Sequence, residues 1–302
     1  MSEIGRRKMP GDDDFPLTFS QRHHFVPFEN LQERLDMAHK DKEVRAQLRN
    51  GFTNPPAELF LVRGPNYLKE GHGGKNLTHL KVPSAEPLYD LIGVNMFRTS
   101  RRITKTAEEI GQLRRFFESQ PIDKPDAEFP KFLIVNWMIS PLFGWGKNHI
   151  VQHIFRLSEH PGHDSSVKAA FSRFKAGTDQ ERNHQLKYMF RVVEAPSAVK
   201  SAISYLGGER PVLIGKALTT HYHFGPNYLE INSDVSSSKI ASAINGTILK
   251  NVETLVMDCS WLLEGQREEE LPERLLCRIR WIWNCVEDVV VSLDDSGESS
   301  PK

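Results

Sequence analysis

The sequence predicts an α+β fold, with a mostly antiparallel, twisted sheet and helices inserted at irregular intervals. Several segments alternate apolar and polar residues, as half-buried strands do. The pentapeptide Gly-Pro-Asn-Tyr-Leu also occurs twice, at Gly64–Leu68 and Gly225–Leu229, each time after a strand-like segment. A regular alternation of strands and helices, which would indicate a parallel sheet, is absent from the pattern.

Each copy of the pentapeptide predicts a tight hairpin turn. With Gly at the first central position and Pro at the second, Gly can supply a positive φ and Pro a φ of about −65°, which is the geometry of a type II′ turn. Two similarly built hairpins are therefore expected. The structural motif that they define consists of Gly64, Pro65, Asn66, Tyr67, Gly225, Pro226, Asn227 and Tyr228.

Strands are predicted wherever apolar residues recur at every second position or form a short bounded run. One face of the segment after Thr254, for example, carries Met257, Cys259 and Trp261. The predicted strands, in chain order, are Leu59–Arg63, Tyr67–Leu68, Phe132–Ile139, His184–Glu194, Ala217–Phe224, Tyr228–Val235, Thr254–Leu263 and Cys277–Trp283.

Helices are predicted between these strands from apolar residues at helical spacing and from capping residues. Pro196 suits the first position of a helix, and Asp234 with the serines that follow it suits an N-cap. The predicted helices are Thr106–Glu118, Lys147–Leu157, Pro196–Tyr205 and Ser236–Leu249, with a short turn at Leu271–Leu276.

Length and composition indicate a single globular domain over residues 16–293. The chain has 302 residues, of which 39% are hydrophobic and 26% charged, and its polar ends, 1–15 and 294–302, are predicted to be disordered tails. The formal net charge is zero, so no overall field attracts nucleic acid, and no nucleic-acid partner is predicted. Binding to an anionic membrane would need a local patch.

Cysteine usage and hydropathy indicate an intracellular protein. Cys259, Cys277 and Cys285 form no CxxC pair, which favours a reducing compartment. Residues 1–14 lack the apolar run of a secretory signal, and the longest apolar stretches are too short to span a bilayer.

The second hairpin offers one candidate site. With Gly225 and Pro226 as the turn, counting outward places His223 opposite Tyr228 and His221 opposite Glu230, all on the face away from the core. A His–Glu pair there can raise the imidazole pKa and act as a pH-sensitive contact. The alternative is a half-solvated polar face with one weak ion pair.

The densest basic stretch is a second candidate site, for acidic lipid headgroups. It contains Arg98, Arg101, Arg102 and Lys105. The alternative is the solvated start of a helix, because the neighbouring Glu108 dilutes the positive charge. The candidate headgroup-binding residues are therefore Arg98, Arg101, Arg102, Lys105, His221, His223, Tyr228 and Glu230.

No catalytic, metal or cofactor site is predicted. His149 and His153 lie four residues apart in a predicted helix, a spacing that can hold Zn²⁺, but Ile150 occupies the position of the zincin glutamate. Histidines at the edge of the core are expected instead. Nucleophile, Walker and dinucleotide-binding motifs are missing, so a non-enzymatic protein is predicted. Asp258 is expected to pair with Arg278 or Arg280 as a structural contact.

Several strings together carry a family resemblance. They are Leu61–Leu68, Leu88–Phe97, His223–Ala241 (HFGPNYLEINSDVSSSKIA), Leu255–Gly265 and Glu269–Leu276 (EELPERLL). In that order, from about Leu59 to Trp281, the chain resembles the C-terminal domain of the plant ENHANCED DISEASE RESISTANCE 2 proteins, a domain of unknown function. The full-length relatives carry pleckstrin-homology and START-type domains ahead of it, and no catalytic residues are established for the family.

The resemblance implies a non-enzymatic module that associates with lipid or a membrane surface, of the kind found in trafficking and defence-regulating proteins. It would be cytoplasmic, or peripheral on endomembranes or the plasma membrane. A START-like helix-grip cavity is a further hypothesis, by analogy of fold alone, because several strands and a long helix can enclose apolar space. The alternative is a module that binds a protein partner through an aromatic surface of Trp261, Trp281 and Trp283; a metal-dependent enzyme using His149 and His153 ranks last.

Overall fold

The computed structural model describes residues 18–20, 22–70, 77–141, 146–159, 164–205 and 209–299. Within these residues the fold is α+β, as predicted, and its strands form two six-stranded sheets and one two-stranded sheet. The predicted N-terminal tail, residues 1–15, lies outside the described residues.

The strands, in chain order, are β1 (His24–Phe25), β2 (Gly51–Thr53), β3 (Leu61–Arg63), β4 (Lys81–Pro83), β5 (Tyr89–Thr99), β6 (Phe132–Ile139), β7 (Asn148–Leu157), β8 (Leu186–Glu194), β9 (Val212–Leu213), β10 (Thr219–Phe224), β11 (Tyr228–Asp234), β12 (Val256–Leu263), β13 (Leu275–Ile282) and β14 (Val290–Ser292). The helices are α1 (Leu31–Ala38), α2 (Lys42–Leu48), α3 (Tyr67–Glu70), α4 (Thr106–Glu109), α5 (Gly111–Ser119), α6 (Ser165–Ala176), α7 (Asp179–Asn183), α8 (Ser197–Tyr205), α9 (Ile214–Ala217), α10 (Lys239–Asn251) and α11 (Val286–Val289).

The first sheet has the strand order β1-β2-β13-β12-β8-β9, and the second has the order β10-β11-β6-β7-β5-β14. Pairing is mostly antiparallel, as predicted, although β1–β2, β11–β6 and β14–β5 are parallel pairs. The parallel pair β11–β6 joins segments that are far apart in the sequence, so hairpin signals alone do not reveal it.

The core lies between the facing surfaces of the two large sheets. Trp261 of β12 packs against Trp137 of β6, with ring centroids 6.0 Å apart, and against His153 of β7 at 5.1 Å. Trp281 of β13 approaches the same imidazole at 5.4 Å. The alternation predicted for β12 and β13 is confirmed, because Cys259, Trp261 and their neighbours at every second position are buried in this core.

A second apolar cluster covers the other face of the second sheet. Helix α5 lays Leu113 and Phe117 over this face, where the Phe117 ring lies 5.5 Å from Phe132 and 5.0 Å from Tyr228. The second sheet is therefore buried on both faces along β6 and β11, whereas sequence alternation had suggested one polar face.

The hairpin prediction is wrong for the first copy of the pentapeptide. Strand β3 ends at Arg63, and Tyr67 begins the helical turn α3, in which Glu70 N–H donates to Asn66 O at 3.0 Å. Strand β3 does pair with a neighbour, but with β4, after a connection of residues 64–80. The residues that follow Leu68 are mostly polar and lack the alternation of a strand, so the sequence offers no second strand directly after this copy.

The second copy does form a hairpin, but its register differs from the prediction. Gly225 N–H donates to Tyr228 O at 2.9 Å, which makes Pro226 and Asn227 the central turn residues. Gly225 does not adopt a positive φ. A Cβ at Gly225 would lie 2.3 Å from the Tyr228 ring, so glycine is needed there for close packing rather than for a type II′ turn.

The predicted helix Lys147–Leu157 is also wrong, because these residues form strand β7 in the middle of the second sheet. Its apolar residues come in adjacent pairs, Ile150 with Val151 and Ile154 with Phe155, and this four-residue spacing favours a helix. Tertiary pairing with β5 and β6 on both sides selects the strand.

The predicted helices near Thr106, Ser197 and Lys239 are confirmed as α4 with α5, α8 and α10. Of the predicted tail 294–302, the structure describes residues 294–299. Asp294 accepts backbone hydrogen bonds from Ser296 and Glu298, and Glu298 pairs with Arg115 of α5 at 2.8 Å. Charged residues that composition assigns to a tail thus form a turn against α5.

Candidate ligand cavity

A cavity of about 410 Å³ lies between the two large sheets beneath helix α10. The first sheet contributes Tyr188 and Phe190, and the second contributes Trp137. The helix covers one side with apolar residues at helical spacing. The main apolar lining residues are Met96, Trp137, Ile139, Val151, Tyr188, Phe190, Ile214, Leu218, Val235, Ile240, Ala241, Ile244, Ile248, Leu249, Leu255, Met257 and Trp281.

Helix α10 is held over the cavity by interactions at its N-terminal end. Ser238 caps the helix, with its Oγ accepting from Ala241 N–H at 3.3 Å. Asp234, at the end of β11, accepts from Ser236 N–H at 2.9 Å and orders the turn before the helix. Thr219 N–H of β10 donates to Ser237 Oγ at 2.9 Å. The predicted capping by Asp234 and the serines is therefore confirmed, and it fixes where the helix starts.

The phenol of Tyr188 and the thiol of Cys259, both on the cavity wall, are unreactive at neutral pH. The Tyr188 hydroxyl donates to Cys259 Sγ at 3.1 Å, and burial raises the pKa of the Cys259 thiol to about 12. Burial also raises the pKa of Tyr188 well above its ordinary value. Both groups are protonated at neutral pH, so neither the thiol nor the phenol is a nucleophile there. The remaining wall is mainly apolar.

Glu230 and Tyr228 of the predicted headgroup site lie on the other side of the second sheet, away from the cavity. The Glu230 side chain is fully buried and accepts hydrogen bonds from Thr106, Ala107, Asn136 and Asn232. Tyr228 packs under α5. Burial of both residues puts them beyond the reach of a lipid headgroup in this structure.

The two histidines of the same predicted set are not arranged as expected. Glu230 is opposite His223, and His221 is opposite Asn232, because the turn is centred on Pro226 and Asn227. His221 is exposed and His223 is half-buried. Glu230 bonds to α4 instead of to either imidazole, so the predicted His221–Glu230 pair does not form.

The predicted basic patch is divided among ion pairs with nearby carboxylates. Arg98 pairs with Glu287 at 3.4 Å, Arg102 with Asp234 at 2.8 Å, and Lys105 with Glu108 at 3.2 Å. Arg101 pairs with Glu109. These contacts neutralise the local charge, and headgroup binding by this stretch stays a prediction.

His149 and His153 do not form a helical pair. They lie four residues apart on strand β7, a separation of about 13 Å along an extended chain. Burial lowers the pKa of each to about 4, and His153 Nδ1 contacts Val135 O at 3.0 Å. Over the part of the chain that the structure describes, no group of three His, Cys, Asp or Glu is arranged to hold a metal ion.

The tryptophans of the alternative interaction surface are buried. Trp261 and Trp283 are each 1% exposed and Trp281 is 7% exposed. Trp281 lines the cavity, and Trp283 packs beneath α1 and α2. These residues do not make a surface patch, so the aromatic surface predicted for a protein partner is absent from this fold.

Charged residues of the sequence motifs have structural partners. Asp258 accepts from Arg280 at 2.5 and 2.8 Å and from Arg191 at 2.7 Å, which confirms the expected contact with Arg280. Arg278 turns instead to Glu86 at 3.0 Å. In the ELPE segment, Glu273 binds Lys187 at 2.6 Å and Glu270 binds Arg173.

Sequence reasoning missed two strands of the cavity wall, because β5 was not predicted and β7 was predicted as a helix. Met96 and Val151, on these two strands, both line the cavity. The segment Tyr89–Thr99 is rich in residues that favour strands, and this composition was the available signal. Trp137 and Phe190 lie on predicted strands, but the sequence alone does not show that these strands face one another.

A transmembrane helix is not seen in the described ranges, where no helix is both long and apolar enough to cross a bilayer.

No solved structure matches the chain significantly. Comparison with curated proteins finds "Protein ENHANCED DISEASE RESISTANCE 2-like" of Arabidopsis thaliana, 26% identical over 247 residues. The match covers 81% of this chain and 30% of that protein, so the chain spans about a third of the relative's length.

A family model described as "Protein ENHANCED DISEASE RESISTANCE 2, C-terminal" matches residues 52–282. This range extends from β2 to the end of β13, so it includes the two large sheets apart from their edge strands β1 and β14, helix α10, and the cavity lining apart from Asn284. The match covers more than half of the chain. The chain therefore belongs to the ENHANCED DISEASE RESISTANCE 2 C-terminal family.

Proposed function

We propose that this chain is a non-enzymatic module that binds an apolar, lipid-like ligand in the cavity under α10. The observation that carries the proposal is an apolar space of about 410 Å³ enclosed by both sheets and a long helix. Ligand sites typically measure about 300–1,000 Å³ and are lined mainly by apolar and aromatic side chains. An unfilled apolar space of this size also costs stability, since its lining lacks contacts that a bound molecule would supply.

Action at a membrane surface is part of this proposal. Ile240 and Val212 line the cavity yet are 64% and 39% exposed, so apolar side chains surround the point where the cavity meets solvent. Such a rim allows an apolar ligand to leave a bilayer without crossing water. The curated relative is named for enhanced disease resistance, which supports a place for the module among defence-related proteins.

A cavity-filling variant tests the proposal. Ala241 lines the cavity, whereas Ala243, two positions later on α10, is exposed and does not. We expect Ala241→Trp to weaken binding of the neutral dye Nile red by about tenfold or more, equivalent to about 1.4 kcal/mol, because the indole occupies the ligand space. The Ala243→Trp variant should bind the dye as the wild type does. Fluorescence titration measures both affinities.

Thermal melts of each variant establish that the protein is folded. If Ala241→Trp unfolds the chain, the smaller change Ile244→Phe at another lining position replaces it. A wild-type protein that does not bind the dye, or a folded Ala241→Trp variant that binds it with unchanged affinity, would show that the cavity is not a ligand site.

A further inference from the structure

Only one charged side chain, Arg210, is among the residues that line the cavity in the described structure. It is exposed, and it lies two residues before Val212 of β9, which is also exposed and also lines the cavity. A guanidinium here sits where the apolar space opens to solvent, with its charge hydrated and its stem against the wall.

The mouth of the cavity is a continuous structure. The segment from Arg210 to Ala217 forms one side, through β9 and α9. The start of α10, at Ile240, forms the other. The hydrogen bond from Thr219 N–H to Ser237 Oγ ties the two sides together. Arg210 is therefore held beside the opening.

Arg210 is not neutralised by a carboxylate in the described part of the chain, in contrast to Arg191 and Arg182. Arg191 binds Asp258 at 2.7 Å, and Arg182 binds Asp179 at 2.7 Å. Glu209, the acid adjacent in sequence, accepts a hydrogen bond from Val192 N–H at 2.5 Å instead. The guanidinium thus presents its donors and its charge to whatever occupies the mouth.

Other polar groups on the wall are mostly engaged. Ser238 Oγ caps α10, and Asn284 Oδ1 lies 3.2 Å from His23 Nε2. Asn245 is half-buried on α10, and its amide makes no hydrogen bond to the described residues. Arg210 thus supplies the one cation of the described wall and Asn245 an amide, in a space that is otherwise mainly apolar, which favours a ligand with a single polar end.

We propose that the ligand is a single-chain amphiphile with an anionic head, whose tail fills the cavity and whose head binds Arg210 at the mouth. This inference rests on the proposed function. Arginine binds carboxylate and phosphate through paired N–H donors, which gives both affinity and orientation. The cavity volume is near the lower end of the range for ligand sites, so it suits one chain rather than the two of a diacyl lipid.

Displacement of bound Nile red tests the inference with three ligands of matched chain, each below its micelle concentration: oleate, oleoyl lysophosphatidate and oleyl alcohol. We expect the wild type to prefer the two anions over the alcohol by about tenfold. The Arg210→Gln variant should lose that preference and bind the alcohol as before. Preference for oleate identifies a fatty acid, and preference for the lysolipid identifies a phosphate head.

A matched control is Lys216→Gln, which removes an exposed cation of α9 that does not line the cavity. This variant should keep the wild-type preference for anions. Equal displacement by the anions and the alcohol in the wild type, or an unchanged preference in Arg210→Gln, overturns the role of Arg210 and leaves the cavity proposal standing. Failure of all three ligands in a protein that also fails to bind Nile red overturns the proposed function itself.

Discussion

Glu230 shows how a residue from the most recognisable sequence string serves the fold. Its carboxylate accepts from Thr106 N–H at 2.6 Å, Thr106 Oγ1 at 3.0 Å and Ala107 N–H at 3.1 Å, at the start of α4. The amides of Asn136 and Asn232 donate to the same group at 3.2 and 2.9 Å. A buried carboxylate is tolerated here because five donors, two of them backbone groups at a helix start, replace its hydration.

We expect Glu230→Gln to lower the free energy of unfolding by about 1–3 kcal/mol, because the new amide N–H₂ faces donors where an oxygen accepted hydrogen bonds. Urea unfolding followed by tryptophan fluorescence measures the change. The control is Glu108→Gln, also in the α4 region, whose side chain is 54% exposed and pairs with Lys105 at the surface. That change should stay within about 0.5 kcal/mol. Equal effects of the two substitutions would contradict the role given to Glu230.

At the scale of elements, the repeated pentapeptide adopts two structures because its flanking residues differ. After Gly225–Leu229 the chain continues with alternating residues that pair with β10 and β6, which extends the hairpin into the sheet. After Gly64–Leu68 the chain is polar, and Tyr67 begins a four-residue helix. Tyr228 is 5% exposed and packs on Phe117, whereas Tyr67 is half-buried under the Arg63 guanidinium at 4.8 Å.

The two tyrosines should therefore respond differently to the same substitution. Tyr228→Ala removes a ring from the cluster under α5 and should cost about 3–5 kcal/mol of stability. Tyr67→Ala removes one cation–π contact and should cost about 1 kcal/mol. Denaturant midpoints of the two variants measure the difference. A Tyr67→Ala effect as large as that of Tyr228→Ala would mean that the first copy has a packing role that this structure does not show.

At the scale of the whole molecule, two buried imidazoles contact Trp281 in the core between the two large sheets. His23 lies 5.6 Å from Trp281 and His153 lies 5.4 Å from the same ring. Burial lowers the pKa of each from 6.5 to about 4, with hydrogen bonds to Asn284 and to Val135 O opposing the shift in part. Both rings are therefore neutral in the folded protein at neutral pH, next to the tryptophan that lines the cavity.

The sign of the resulting pH dependence follows from these lowered pKa values. Between pH 6.5 and 4 these imidazoles bind protons in the unfolded chain but not in the folded chain. The free energy of unfolding is therefore highest above pH 6.5 and falls as the pH drops toward 4. Each imidazole should contribute a loss on the order of 3 kcal/mol across that window. Urea unfolding at pH 7 and at pH 4.5 measures it. The His153→Gln variant should remove one imidazole's share of this loss, on the order of 3 kcal/mol, because His23 and His149 keep theirs. His221→Gln, on an exposed ring, should leave the curve unchanged. Identical curves for His153→Gln and the wild type would contradict the assignment.

Much of the fold was predictable from the sequence where the local pattern is unambiguous. Strand β6 matches its predicted bounds, and β12 lies within the predicted segment, because their apolar residues fit only an extended chain. Helix α10 was predictable from its capping serines. Strand β7 was not, because its apolar residues have helical spacing, and only pairing with β5 and β6 makes it a strand. Of the predicted site residues, those on β11 proved to be buried by α4 and α5.

By itself, the sequence determined the α+β class, the bounds of several elements, an ion pair of Asp258 with either Arg278 or Arg280, and the family, since each follows from a local pattern or a characteristic string. Only the tertiary structure decided which strands face one another, that Glu230 is buried, and that Arg210 stands at the mouth of an apolar cavity. A cavity is a property of the distance between two surfaces, and contacts between residues far apart in the chain set that distance.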